Sequence, residues 1–134
     1  MLHLNKMDIH EINVGKLTIC EGIIRLQLND RVDVKVRDIE EIHEANQKLC
    51  DGSKYCLLVI VGKYSSVTPE ARELAASKEL SKNRISLAFV TNSLAHKLVV
   101  NFFIKFNRPN TPTKLFSDEN EANMWLKGKT LSVF

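Results

Sequence analysis

Tyr55-Cys-Leu-Leu-Val-Ile-Val-Gly62, followed after Lys63-Tyr64 by Ser65-Ser-Val-Thr-Pro-Glu-Ala-Arg72, is the stretch whose reading decides the fold. The first part is an almost unbroken apolar run, which suits a central strand covered on at least one face. The second is a polar turn that opens a helix. Thr68 is a good N-cap, because its hydroxyl can accept one of the helix's free N–H groups. Pro69 then falls at the first helical position, where its missing N–H costs nothing. Ala71, Leu74 and Ala75 carry the helix on with side chains that allow close approach to a sheet.

The same rhythm continues on the C-terminal side. Arg84-Ile-Ser-Leu-Ala-Phe-Val90 reads as another strand, and Asn92 or Ser93 starts a long helix to about Phe106. Arg108-Pro109-Asn110-Thr111-Pro112 is a stiff, extended connector. Thr113-Lys-Leu-Phe116 is a short last strand, and Ser117 caps a final helix that Gly128 stops. Asp118 and Glu119 lie in its first turn, near the positive end of the dipole, and Ala122, Trp125 and Leu126 form its inner stripe.

On the N-terminal side, Lys16–Cys20 and Gly22–Leu28 alternate apolar and polar residues around Glu21-Gly22, the pattern of an antiparallel hairpin. A short extended piece around Val32–Val36 follows. Asp38 then begins a helix with Glu41 in a capping-box position, and Ile39, Ile42, Ala45 and Leu49 recur at helical spacing until Asp51-Gly52-Ser53. The first and last few residues read as the flexible ends.

A length of 134 residues suits one domain, 1–134, and 44% apolar with 26% charged residues is ordinary for a folded globular chain. The net charge of +3 comes without a basic stripe interleaved with aromatics, so nucleic acid is not an expected partner. No signal-peptide core opens the chain and no run nears the roughly 20 apolar residues that span a bilayer, so a cytoplasmic location and no membrane insertion are expected. Cys20, Cys50 and Cys56 form no C-x-x-C pair, which argues against a disulfide framework or a zinc site.

The order of elements resembles the STAS domain, the fold of bacterial anti-sigma-factor antagonists of the SpoIIAA type, and within it uncharacterised bacterial STAS-like proteins. Two patterns carry the resemblance over roughly residues 16 to 127: Ser66-Val-Thr-Pro-Glu-Ala-Arg72 after the apolar strand, and Asn107-Arg-Pro-Asn-Thr-Pro-Thr-Lys-Leu-Phe116 followed by Glu121-Ala-Asn-Met-Trp-Leu126. The second is similar to the endings of STAS-like and lipid-binding SEC14-like bacterial domains. The resemblance implies an α/β fold, with a mixed sheet of about five strands and about four helices packed against it. It also implies a protein-binding or ligand-binding role. Antagonists of this type carry a phosphorylatable serine where the helix after the central strand begins, and the matching residues here are Ser65, Ser66 and Thr68. The chain departs from the type: the Asp-Ser-Ser-Gly signature is absent, and the strand ends in Val61-Gly62-Lys63 rather than in an aspartate.

Two candidate sites follow. A phosphate at the Ser65–Thr68 turn would meet free N–H groups at a helix start and alter a docking surface. The plainer reading, which the residues favour, is that Thr68 is only a cap and the serines are solvated turn residues. Arg72 either holds this turn or contacts an anion. The second site is the Ser93–Phe106 helix. At about 100° per residue, Ala95, Leu98, Val99, Phe102 and Phe106 share one stripe, read as the core face. His96, Val100, Phe103 and Ile104 fall on a second sector, either buried or presented as a homodimer or apolar-ligand surface.

No catalytic motif is present: no G-x-S-x-G, no P-loop, no G-x-G-x-x-G and no H-E-x-x-H. His3, His10, His43 and His96 share no metal spacing and read as surface or helix-flank residues. Glu40, Glu41 and Glu44 read as a solvated helix face. No cofactor and no metal are expected. The sequence thus predicts a non-enzymatic bacterial regulatory domain that docks an unidentified protein partner, with a homodimer as one form. The alternative is a carrier or sensor of a small apolar ligand held between the long helix and the sheet.

Overall fold

Alternation of buried and exposed side chains breaks the chain into eight strands and four helices among residues 8–131, which the computed structural model describes. Three antiparallel strands come first: β1 (His10–Ile12), β2 (Gly15–Cys20) and β3 (Ile23–Leu28). Cys20 lies opposite Ile23, so Glu21-Gly22 is a two-residue turn, and both residues take the positive φ (51° and 79°) that a hairpin turn of this length favours. A short β4 (Asp33–Val34) leads into α1 (Val36–Cys50). The apolar run forms β5 (Tyr55–Ile60), and the polar turn after it contains β6 (Ser66–Val67) before α2 (Pro69–Ala76). A 3₁₀ turn (Glu79–Ser81) precedes β7 (Arg84–Val90), then α3 (Leu94–Phe102), a π-helical turn (Phe103–Asn107), β8 (Thr113–Phe116) and α4 (Glu119–Leu131).

Six strands make one mixed sheet in the order β1-β2-β3-β5-β7-β8, parallel from β3 onward. The five strands read from the sequence are all in it; β1 is the addition. The extended piece at Val32–Val36 does not join this sheet. Its β4 pairs in parallel with β6, a strand hidden within the polar turn, through Ser66 N–H to the Val32 carbonyl and Thr68 N–H to the Val34 carbonyl. The flexible ends expected from the sequence fall mainly on residues 1–7 and 132–134, outside the described residues.

β5 is buried on both faces, so its two sets of alternating side chains seed two cores. Leu57 and Val59 face a core shared with Ile42 and Ala45 of α1, Ala76 of α2 and Phe103. Cys56 and Leu58 face a second core, closed by Ala122 and Leu126 of α4. The β5–β7 ladder carries a bulge: Tyr55 pairs with Arg84, but Cys56 pairs with Ser86, leaving Ile85 as the extra residue. Strict alternation back from Ser86 would put Arg84 on the α4 face. The bulge turns it to the other face, alongside Tyr55.

Helix boundaries differ from expectation in two helices, and the orientation of a third differs as well. α1 starts at Val36, and Asp38 is its third residue, with its carboxylate accepting from the Lys35 N–H at 2.9 Å. In α4 it is Asp118, rather than Ser117, that accepts from the Asn120 N–H (3.0 Å), and the helix runs through Gly128 to Leu131. The larger correction concerns α3. The stripe read as its core face is outside: Leu98 is 64% and Phe106 62% exposed. Val100 and Phe103, on the second sector, are 6% and 5% exposed. Both sectors are apolar, so helical periodicity alone could not say which one meets the sheet.

α4 is tied to the sheet by an ion pair. Arg25 on β3 donates through Nε to Glu119 Oε2 at 2.6 Å and through Nη2 to Oε1 at 3.1 Å. The bond to Arg25 holds the Glu119 carboxyl below its ordinary value of 4.5, against the opposing effect of burial. A depressed carboxyl stabilises the fold above the unfolded-state value, and the contribution disappears as pH falls through the folded one. Both side chains are more than a third exposed, so solvent screens the pair. Glu119→Gln should therefore cost only about 0.2–1 kcal/mol at pH 7. Urea denaturation at pH 3 should show a smaller difference between the two proteins.

Candidate functional site

Between the sheet and α1, α2 and α3 lies a cavity of about 1120 Å³. Protein interiors rarely keep voids larger than a water molecule, and small-molecule pockets occupy roughly 300–1,000 Å³, so this space is of ligand size. Its floor is the sheet face carrying Leu26, Leu57, Val59, Leu87 and Phe89. α1 contributes Ile39, Ile42, His43 and Asn46, which stand at the i, i+3, i+4, i+7 spacing of one helix face. α2 contributes Arg72 and Ala75, and the space is roofed by His96, Val99 and Val100 of α3 and by Phe103 of the π-helical turn. Phe103 meets Phe89 edge-to-face at 5.8 Å, so the π-helical turn that begins at Phe103 is anchored to the floor.

One end of the cavity is polar and buried. Arg84, delivered by the β-bulge, is buried; its Nε donates to Thr111 Oγ1 at 3.1 Å while Nη2 has no partner. Among the described residues, no carboxylate pairs with it. Asn46 Oδ1 and His43 Nδ1 are likewise buried without a partner, and the Tyr55 hydroxyl, outside the cavity lining, is buried against the Asn46 side chain without good hydrogen-bond geometry. Burial lowers the Arg84 pKa and raises that of Tyr55. Burial also lowers the pKa of His43, helped by repulsion from Arg84 and Lys82. Buried polar groups are normally satisfied, so several unsatisfied groups beside one cation mark this end as unusual.

The other end reaches the surface at the C-terminal ends of β5 and β7, where Tyr64, Asn92 and Ala95 are exposed lining residues. The residues of the Ser65–Thr68 turn sit there. Ser65 Oγ donates to the Gly62 carbonyl at 2.7 Å, Ser66 Oγ donates to Asp33 Oδ1 at 2.8 Å, and Thr68 Oγ1 accepts from the Ala71 N–H at 3.1 Å. Arg72 closes the turn by donating to the Val67 carbonyl at 3.0 Å. His96 Nε2 lies 2.8 Å from the Ser65 carbonyl and links α3 to the same loop. Gly62 has to be glycine: a Cβ there would collide with the Asn29 carbonyl. A phosphate on Ser66 would face the Asp33 carboxylate, and one on Thr68 would sacrifice the cap, so the geometry favours a structural role for these hydroxyls.

Of the apolar set named from the sequence, His96, Val100 and Phe103 line the cavity, whereas Ile104 is half-buried outside the lining. An outward-facing surface built from these four is therefore corrected. His43, read as a flank residue, lines the cavity with Nδ1 buried. Sequence reasoning passed over Asn46 and Arg84, which line the cavity. The available signals were two polar residues, His43 and Asn46, on the inner face of α1, and a cation opening an otherwise apolar strand.

Residues 17–130 match the family described as a domain of unknown function, DUF7793. The chain belongs to this family. No curated protein matches it. Among solved structures, it is similar to an uncharacterised DUF3478-family protein with a SpoIIAA-like fold from Shewanella loihica PV-4. The two are 13% identical over 90% of this chain and 91% of that one, with a TM-score of 0.58. A protein of unknown function from Arthrobacter sp. FB24 is 23% identical over 87% of this chain and 95% of that one, with a TM-score of 0.31, too low to support an argument. The DUF7793 chain thus has a SpoIIAA-like fold, with helices on both faces of a mixed sheet. No helix among the described residues is long and apolar enough to cross a membrane, and no three His, Cys, Asp or Glu side chains among them could hold a metal ion.

Proposed function

We propose that this protein is a non-catalytic carrier or sensor of a small apolar ligand, held in the cavity between the sheet and α1, α2 and α3. The observation that carries this reading is the cavity itself: about 1120 Å³, floored by leucines and valines of the central strands. Burial of an alkyl chain in such a space contributes about 0.8 kcal/mol per methylene. Titration of the full chain with 1-octanol and 1-decanol checks it. Both should bind at one site, and the longer alcohol should bind about fifteenfold more tightly. Absence of saturable binding by either alcohol contradicts the reading.

A second reading, docking through α3 to another copy of the chain, rests on the exposed stripe Leu94, Leu98, Phe102 and Phe106. Phe102 and Phe106 stack with ring centroids 4.6 Å apart, and Arg72 lies over the Phe102 ring. Light scattering of wild type and Leu98→Asp tests it. A dimer that the substitution dissolves supports docking, and a monomer in both rules out self-association through α3.

A further inference from the structure

We propose that the ligand is a monoanionic amphiphile, a straight-chain carboxylate, with its head against Arg84, Asn46 and His43 and its chain running along the sheet floor toward the mouth. The inference rests on the ligand-carrier reading and adds the chemistry of the head group. A buried guanidinium is normally paired with an acid, yet Arg84 has a neutral hydroxyl on Nε and nothing on Nη2. A carboxylate is the group whose planar pair of oxygens fits a guanidinium edge. Its remaining lone pairs need neutral donors, and Asn46, which lines the cavity and whose Oδ1 has no partner, can turn its amide N–H groups toward them.

The charge count selects a monoanion. Burial favours the neutral form of His43, so Arg84 is the only cation among these three groups. A phosphate monoester would bring a second negative charge into a buried site with one positive charge to meet it. Position selects a linear amphiphile. Arg84 and Tyr55 begin their strands, whereas the mouth lies where β5 and β7 end. Strand β7 extends about 20 Å at roughly 3.3 Å per residue, and between its ends Leu57, Val59, Leu87 and Phe89 offer only hydrocarbon.

Calorimetric titration of the full chain with decanoate, 1-decanol and decyl phosphate tests the head-group assignment without any substitution. Decanoate should bind about ten- to a hundredfold more tightly than decanol, the value of a hydrogen bond to a charged group, and more tightly than the phosphate. Arg84→Met, close in volume, should erase the preference for the acid over the alcohol. Equal binding of acid and alcohol by the wild type overturns the head-group assignment and leaves the apolar-ligand reading standing. Tighter binding of the phosphate overturns the choice of a monoanion, and an acid preference that survives in Arg84→Met overturns the role of Arg84. Binding of none of the three overturns both the inference and the reading beneath it.

Discussion

Phe103→Ala should lower the stability of this protein by about 3–5 kcal/mol, while Phe102→Ala, one residue earlier, should cost about 1 kcal/mol or less. The two side chains are alike and adjacent in sequence, but the roughly 100° of helical rotation between them puts one inside and the other at the surface. Phe103 is 5% exposed, packed edge-to-face on Phe89 and part of the core shared by β5, α1 and α2. Phe102 is half exposed and leans on Phe106 and Arg72 at the surface. Removing Phe103 enlarges the cavity next to its own floor, where the sheet cannot collapse to fill the gap, whereas removing Phe102 only changes what water touches. Urea denaturation of both variants measures the difference directly. Equal costs would mean that α3 is rotated from the orientation described here.

Arg84→Met should leave the protein at least as stable as wild type, with a gain of up to about 4 kcal/mol, even though it removes a hydrogen bond. A charge taken out of water without an opposite partner weakens the fold, and replacement by an apolar side chain of similar size relieves that penalty. Burial lowers the Arg84 pKa, which means that the charged form is the disfavoured one on folding. The bond from Nε to Thr111 offsets part of this, at about 1 kcal/mol. Thermal unfolding in the absence of added ligand checks the sign. A residue that weakens the fold and strengthens binding fits a ligand site, where stability and activity oppose each other. A loss above about 1 kcal/mol would assign Arg84 to structure instead.

Much of this architecture was legible in the chain. The apolar run at Tyr55–Val61, the Thr68-Pro69 cap and the Glu21-Gly22 turn each have one dominant local solution, and the structure adopts it at all three. The SpoIIAA-like order of elements follows from them. The cavity was less legible for three physical reasons. α3 is apolar on two sectors, so its orientation depends on the length and direction of the connection from β7, which no periodicity encodes. The bulge at Ile85 reverses the face of Arg84, and a single inserted residue leaves no mark in the alternation of so short a strand. His43 and Asn46 lie beside Ile39 and Ile42 on α1, but polar residues at the border of an apolar stripe read as solvated until the opposing surface is known. The short pairing of β4 with β6 was hidden because two residues carry no pattern of their own.

The most direct test of the account is methyl NMR of the full chain during titration with decanoate. The interior-cavity reading predicts saturable shifts at Leu57, Val59, Leu87 and Val100, which line the space, with little change at the outward Leu94 and Leu98. Shifts confined to Leu94 and Leu98, with the interior methyls unmoved, would contradict it and place binding on the outer face of α3.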